Sequence, residues 1–548
     1  MLLCALLVSP LSAALLREPG EEVTRAVAVT LPAEGLEDAV ALAPALLGDG
    51  LPIPTIAESD GWWCLGYEYQ LSSAWVGFDV LGSELSTRNG TLDLDLALEL
   101  RINEKSDPFR LDASAFCINT GCEGWVKPFP VDVSMKLDLA LVDSGGERRL
   151  DATVRNLKVD YALSSNDIVL QDCTLADIEA ILNVFGDSLY DVVLDAADEA
   201  LADELDNLGP ELAAAIEEAF AGLVLDEQLE IGDASVALVL APSELTIDRD
   251  GVEVVLAGVA DADPHACVAE TDPGGSLKTG SSVPSDGLGG AHARLSLSDD
   301  FANQLLYALW RAGLFCQELD SLGELALTTT YLPLLAGDAY EALFDEEGPM
   351  LVSVRSESPP EVVYDGRHDL DADISGLGID FVAAVDGRMA RVLGLGLDAG
   401  VGLDVVLEPN SGLLEIVVDL EGAELDMSLE ANELVAGTDD EVEDRFAGGM
   451  DELIGPLIEG LVADLAVPLG SVAGVGLSDL SFSAGGEGDW LLADATVGPV
   501  PYTTGCDSEA GGCGGCEGDA GCASGRGQAR WWLGLIPAAW IGRRRIVG

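Results

Sequence analysis

Residues 91–100 read TLDLDLALEL, and no other stretch limits the possible folds of this chain so firmly. Leu92, Leu94, Leu96, Leu98 and Leu100 share one parity, whereas Asp93, Asp95 and Glu99 share the other. A period of two makes a strand with one apolar and one anionic face. The pattern recurs in Val133, Met135, Leu137, Leu139 and Leu141, and again in Leu157, Val159, Tyr161 and Leu163. Leu425, Met427 and Leu429 alternate likewise with Asp426, Ser428 and Glu430. Tight turns are expected at Asn89-Gly90, at Ser144-Gly145-Gly146 and at Asp250-Gly251. Long one-sided sheets follow, and something must cover their leucines.

The helical periods supply the cover. Leu36, Val40, Ala43 and Leu47 predict a short helix within 31–50, with Gly48 as its stop. Between Leu175 and Leu223 the apolar positions include Ile178, Ile181, Leu182, Phe185, Leu189, Leu201 and Leu205, which predicts a long amphipathic helix or two in sequence around Gly209-Pro210. Residues 260–290 are rich in Gly, Ser and Pro and read as a linker. The order then repeats. Ser298 caps a helix that turns Phe301, Leu305, Leu306 and Leu309 inward and ends at Gly313. A second long helix spans about 440–466, with Val442, Phe446, Met450, Leu453 and Leu457 on one side. The short and long helices begin near 33 and 175 in the first half, and near 299 and 440 in the second. Those matched intervals predict a structural duplication, with units at 24–259 and 291–498. Helices lying along a curled sheet's apolar face close each unit.

The chain carries 98 acidic and 26 basic residues among 548, for a net charge of −72, yet 48% of it is apolar. Disordered acidic chains lack such apolar content, so this one folds and wears its charge outside. Nucleic acid is excluded as a partner, because phosphate binding needs clustered cations. Residues 1–16 read as a signal peptide, and no other run of about 20 apolar residues predicts a membrane-spanning helix. In an exported chain Cys64, Cys117, Cys122, Cys173, Cys267 and Cys316 are disulfide candidates, with 15 possible connectivities. Among these six, the close pair Cys117 and Cys122 has no second close pair to complete a zinc site, so no metal is expected. His265, His292 and His368 fall in no catalytic or metal-binding pattern, and no nucleophile elbow or phosphate loop is present. Asp369, Asp371 and Asp373 read as the wet face of a strand. No enzymatic residue set and no catalytic cofactor are therefore expected.

Taken together, several segments resemble the bactericidal/permeability-increasing and lipopolysaccharide-binding proteins of the tubular lipid-binding superfamily. AVTLPAEGLEDAVALAPALLGDGLPIP resembles the family's opening helix, and LSLSDDFANQLLYALWRAGLF the helix that opens its second barrel. LALTTTYLPLL, MLVSVRSESPPEVVY and ELIGPLIEGLVADLAVPLG are similar to later family elements in the same order, over roughly residues 24–500. The resemblance implies an α+β fold: two elongated, curled antiparallel β-barrels with long amphipathic helices, joined by a central sheet into a boomerang. It also implies a phospholipid or other acyl lipid in each barrel, and lipids and membrane surfaces as partners. Lipid-cavity candidates are then Leu36, Val40, Leu92, Leu94, Leu96, Ile181, Phe185, Leu305, Leu309, Phe446 and Met450. Two departures stand out. With five lysines the chain lacks the cationic tip of the family's antibacterial members, which argues against endotoxin neutralisation. Cys173 matches the first cysteine of the family's disulfide, but 174–223 holds no second one, leaving Cys117 or Cys122 as alternatives.

Beyond Val500 the chain turns Gly- and Cys-rich, followed by an apolar stretch, Trp531–Gly542, and by Arg543, Arg544 and Arg545. The order resembles C-terminal sorting signals of myxobacterial-type surface proteins, which implies anchoring through Cys513, Cys516 or Cys522. The expectation is an exported protein of the outer membrane or cell surface, or one released from it. Its expected role is to hold acyl chains in apolar tubes for binding or transfer. The alternative is a structural or adhesive β-rich surface protein with filled cores.

Overall fold

The computed structural model describes residues 16–41, 51–172, 224–435 and 467–500 apart from short gaps, with a few isolated positions between them. In the first part the elements are β1 (Leu16–Arg17), β2 (Val23–Pro32), α1 (Ala33–Ala41), β3 (Leu51–Pro52), β4 (Ile56–Asp60), β5 (Tyr67–Ser72), β6 (Trp75–Arg88) and β7 (Thr91–Ile102). They continue with β8 (Phe109–Ala115), β9 (Ile118–Ser144), β10 (Glu147–Tyr161), β11 (Ile168–Gln171), β12 (Leu225–Ile231), β13 (Ala234–Ile247), β14 (Gly251–Asp261) and β15 (Ser276–Leu277). Then follow β16 (Ala293–Ser298), α2 (Asp299–Arg311), β17 (Gln317–Leu319), β18 (Ser321–Leu322), β19 (Leu325–Ala326), α3 (Tyr331–Ala336), β20 (Met350–Ser356) and β21 (Glu361–Val363). The last are β22 (Leu370–Val385), β23 (Arg388–Glu408), β24 (Leu413–Ala431), β25 (Val467–Pro468), β26 (Ser471–Val472), β27 (Val475–Gly485) and β28 (Trp490–Pro499). The long amphipathic helices expected over 175–223 and 440–466 lie outside the described residues except for isolated positions.

The architecture is mostly β. Two curled antiparallel sheets flank a third sheet that both halves of the chain build. The first, of nine strands, runs β3-β6-β7-β9-β8-β5-β4, with β10 and β11 also pairing with β9. The last, of seven strands, runs β17-β20-β22-β23-β24-β25, with β21 pairing with β22. The eight-stranded sheet between them runs β12-β13-β14-β2-β16-β28-β27-β26. Its two halves mirror one another about the β2–β16 pair. Each of these two strands feeds directly into a helix, and each has a returning antiparallel hairpin on its outer side.

Local sequence explains the strand details. β6 and β7 form a hairpin in which Arg88 pairs with Thr91 and Gly90 takes φ +84°, at the place where a turn is expected; Asn89 lies outside the described residues. In β9 the buried positions change parity between Val126 and Phe129. The pairing with β7 shifts there too, from Ile102 opposite Val126 to Leu100 opposite Phe129, placing a bulge at Lys127-Pro128. Proline brings no N–H to a ladder and is tolerated at such a bulge. A second bulge in β10, at Asn156 with φ +54°, moves the apolar face from Leu150 and Ala152 to Leu157 and Val159. Both bulges keep the apolar side chains on one face of a strand too long to stay in register.

Residues 260–290, expected as a linker, are more than a spacer. β15 pairs with β1, and Val283 packs against Ala28, Val255, Trp490 and Leu492 of the central sheet. The adjacent Val254 and Leu256 face the opposite side, into the cluster that holds α2. The central strands are thus covered on both faces, which suits the nearly continuous apolar run of β14. Gly258 permits the closest approach of α2: a Cβ there would lie 2.6 Å from the Phe301 ring and 2.7 Å from the Ala26 Cβ. Replacing Gly258 with Val should therefore destabilise the fold by about 1–3 kcal/mol, the usual cost of overpacking. Urea denaturation of wild type and variant checks this; an unchanged midpoint would mean that α2 can shift freely off the sheet.

Candidate functional site

The leucines of the opening stretch sit where alternation puts them. In β7, Leu92 and Leu100 are buried at the two ends of the apolar face, while Leu94, Leu96 and Leu98 between them are only partly buried. The neighbouring β9 is covered along Val131, Val133, Met135 and Leu137. On its other side, Val154, Leu157, Val159 and Tyr161 of β10 are again only partly buried. The opposite face of the sheet carries cross-strand ion pairs, Lys136–Asp93 at 2.8 Å and Arg155–Asp138 at 2.7 Å. Exposed pairs of this kind contribute little stability, so burial of the leucine face governs the register.

The seven-stranded sheet repeats the arrangement. Ile379 and Phe381 of β22 and Leu393, Leu395 and Leu397 of β23 are buried. On β24, Leu425, Met427 and Leu429 are partly buried, and Asp426, Ser428 and Glu430 are exposed, as the alternation predicts. Each curled sheet therefore presents an apolar face with a fully covered zone and a half-covered zone.

Helix α2 sits between the two apolar systems. Phe301, Tyr307, Ala308, Leu309 and Trp310 belong to the cluster that also holds Leu92 and the central strands, whereas Ala302 joins the cluster of the seven-stranded sheet. Leu305 packs against the first of these and Leu306 against the second. The cap is as expected, with the Phe301 N–H donating to Ser298 Oγ at 3.2 Å. Sequence reading missed the helix's polar stripe, which looks like a wet face but is buried. Asn303 pairs with the β21 backbone, donating to Val362 O at 3.1 Å and accepting from Val362 N at 2.7 Å. Gln304 donates to Glu21 O and accepts from Ala260 N, and Trp310 Nε1 donates to Ser356 O. The one available signal was a helix capped by Ser298 with large aromatics on more than one side, which is a helix buried all round.

At its N-terminus, α2 is pinned by charge. Arg17 of β1 meets Asp300 at 2.9 Å with both side chains buried. Asp299, buried beside it, accepts from Thr279 Oγ at 2.9 Å and from the Asp300 N–H at 2.7 Å. Burial dominates these hydrogen bonds and pushes the Asp299 carboxyl up to about 6.

Of the candidate lipid-facing residues, Leu92 and Leu309 share one cluster, with Leu36 and Leu305 packed against it. Leu94 and Leu96 pack against the adjoining cluster of the nine-stranded sheet. Residues from both halves thus meet at α2, because the helix that opens the second half rests on strands of the first. The side chain of Val40, and Ile181, Phe185, Phe446 and Met450, lie outside the described residues, as do Cys64, Cys117, Cys173, Cys513, Cys516 and Cys522. Cys267 and Cys316 form a disulfide, and Cys122 is disulfide-bonded as well. The aspartates of 369–373 differ from the wet-face expectation. Asp373 is exposed, but Asp371 is buried, and Asp369 accepts from the Val405 N–H at 2.9 Å while burial raises its carboxyl. They sit where the strand starts beneath neighbouring backbone, so alternation alone misjudges them. Among the described residues no helix is long and apolar enough to cross a membrane.

No family model matches the chain, and neither does any curated protein. Among solved structures it is similar to lipopolysaccharide binding protein, at 15% identity over 87% of this chain and 99% of that one, with a TM-score of 0.43. It is also similar to P47 from Clostridium botulinum A2, at 8% identity over 86% and 97% of the two chains, with a TM-score of 0.25. Takeout 1 of Epiphyas postvittana matches at 12% identity over 33% of this chain and 95% of that one, with a TM-score of 0.19.

The Asp299 environment has a pH consequence. A carboxyl raised on folding binds its proton more tightly in the native state than in the unfolded chain, where it titrates near 3.9. Its contribution to stability is therefore full below about pH 4 and is lost as pH rises through about 6. Asp299→Asn should remove that component, so its stability relative to wild type should improve between those pH values. Denaturation midpoints measured across the window test it; parallel curves for the two proteins would refute the assignment.

Proposed function

We propose that this is an exported, surface-associated lipid-binding or lipid-transfer protein that holds acyl chains against the half-covered apolar faces of its two curled sheets. The observation that carries the reading is the incomplete burial of Leu94, Leu96 and Leu98 on one sheet and of Leu425, Met427 and Leu429 on the other. These positions lie mid-strand on the apolar side, where an ordinary core is closed. An acyl chain fits such a face without any basic residue. Burying a methylene gains about 0.8 kcal/mol, but a membrane offers the same gain, so lodging a lipid here nearly cancels the cost of extracting it. That balance favours exchange over one-way capture. Export and surface attachment belong to the same proposal and rest on the leader-like start and the Cys-rich, Arg-ended tail.

One observation favours the structural or adhesive alternative. Around α2 the cluster is filled by Phe301, Tyr307 and Trp310, all buried, so the lipid reading places its ligand away from that helix.

The two readings separate in one experiment. The purified chain should carry extractable acyl lipid in native mass spectrometry and take up a fluorescent fatty acid, with little loss at high salt because apolar burial drives binding. Leu96→Trp should lower probe uptake with little loss of stability. Leu309→Trp, in the filled cluster, should cost about 1–3 kcal/mol and leave uptake per folded molecule unchanged. A chain with no extractable lipid and no probe uptake at any salt concentration would leave the structural reading standing.

A further inference from the structure

Among the six cysteines of the body the sequence offers no second close pair for a metal, but the fold assembles a different set. Cys267 and Cys316, 49 residues apart, form a disulfide, and His265 lies beside it. The ligand atoms of His265, Cys267 and Cys316 all fall within 4.8 Å of one another. In a tetrahedral zinc site, with Zn–S near 2.3 Å and Zn–N near 2.0–2.1 Å, ligand atoms stand roughly 3.5–3.8 Å apart. The three groups thus need only small movements to share one cation once the sulfurs separate. Two thiolates and one imidazole form a soft donor set with a position left for water, and they neutralise a divalent cation in full.

The frame around the three groups is firm on both sides. The His265 N–H donates to Arg311 O at 2.8 Å, and the Cys316 N–H to Gly313 O at 2.9 Å. Gly313, at φ +90°, lies so close to the His265 ring that an added Cβ would sit 2.7 Å from its Cγ. Val268, fully buried, anchors the loop in the core. Arg311 clamps the same loop through Asp261 at 3.0 Å and Asp272 at 3.3 Å, and Tyr307 donates to Asp272 at 2.7 Å. His265 and Cys267 are exposed, so a cation and a reductant can both reach them.

We propose that His265, Cys267 and Cys316 form a redox-gated site for a soft divalent cation of the zinc class. In the oxidised chain the disulfide ties the 262–272 loop to the end of α2. A dithiol reductant delivers two electrons and two protons to the S–S bond, breaking it into two thiols while the reductant becomes a disulfide. Cation binding then expels those two protons and joins the two thiolates through the metal. The loop stays tethered in either state, by a covalent bond in one and by a coordinated ion in the other.

The test uses the full chain with Cys506, Cys513, Cys516 and Cys522 replaced by Ser, so that the tail cannot compete for metal. After anaerobic reduction by a phosphine, Co²⁺ should give a thiolate-to-cobalt charge-transfer band. Carboxylates, abundant on this surface, give no such band. Zn²⁺ should displace the Co²⁺ and protect Cys267 and Cys316 from alkylation, read peptide by peptide. His265→Asn leaves the disulfide in place when oxidised, which checks folding, and should weaken metal binding of the reduced chain by at least about 10-fold, the lower range seen for losing even an indirect partner of a ligand. The unreduced chain should show no band. Absence of the band after reduction, protection that maps to other cysteines, or unchanged affinity in the His265→Asn chain would each overturn the proposal.

Discussion

The structure depends on one backbone pairing, that of β2 with β16. Leu295 opposite Val29 and Leu297 opposite Val27 hold the two halves of the chain in a single antiparallel ladder. Because β2 also pairs with β14, and β16 with β28, neither strand has a free edge, and both are covered: Ala26, Ala28 and Val29 of β2 are buried, as are Arg294, Ser296 and Ser298 of β16. Each also runs without a break into a helix, so the ladder fixes where α1 and α2 begin. Once it is set, α2 has one place to lie: across the strands of the other half, with Val283 packed on the opposite face.

The way α2 is held explains why the apolar interior is uneven. Near the central sheet the helix contributes Phe301, Tyr307 and Trp310, and its polar groups are matched one by one to backbone and to Arg17. Buried polar groups matched in this way fix a single arrangement, since an unmatched one costs about 1–3 kcal/mol. Away from α2, the described cover thins along β7, β10 and β24, and the apolar positions there are mostly aliphatic. A closed centre with more open outer faces can change what lies on those faces without loosening the join between the halves.

The large negative charge has little part in this. With 26 basic residues against 98 acidic ones, most carboxylates have no cation to meet, and many of the pairs that form are exposed. Two exceptions, Arg17–Asp300 and Arg294–Asp494, lie at the start of α2 and at the central sheet, where a guanidinium fixes geometry. Charge elsewhere keeps the outer faces of the sheets wet and unpaired with other sheets.

What the sequence determined by itself was local. The period of two in residues 91–100, the hairpin between Arg88 and Thr91 with its positive-φ Gly90, and the Ser298 cap each report a backbone geometry that a few neighbouring residues dictate, and all three stand in the structure. Alternation also identified which face of β7 and β24 would be apolar. Tertiary structure decided how completely that face is covered, because burial depends on elements distant in the chain. It decided that Leu36, Leu92, Leu305 and Leu309 meet in one place, since a helix of the second half packs on strands of the first. It buried Asn303 and Gln304, whose polarity reads as solvated until the backbone groups they match are seen. It brought Cys316 to His265 and Cys267 across 49 residues, a juxtaposition that spacing cannot reveal because it is set by where α2 ends and not by any local repeat.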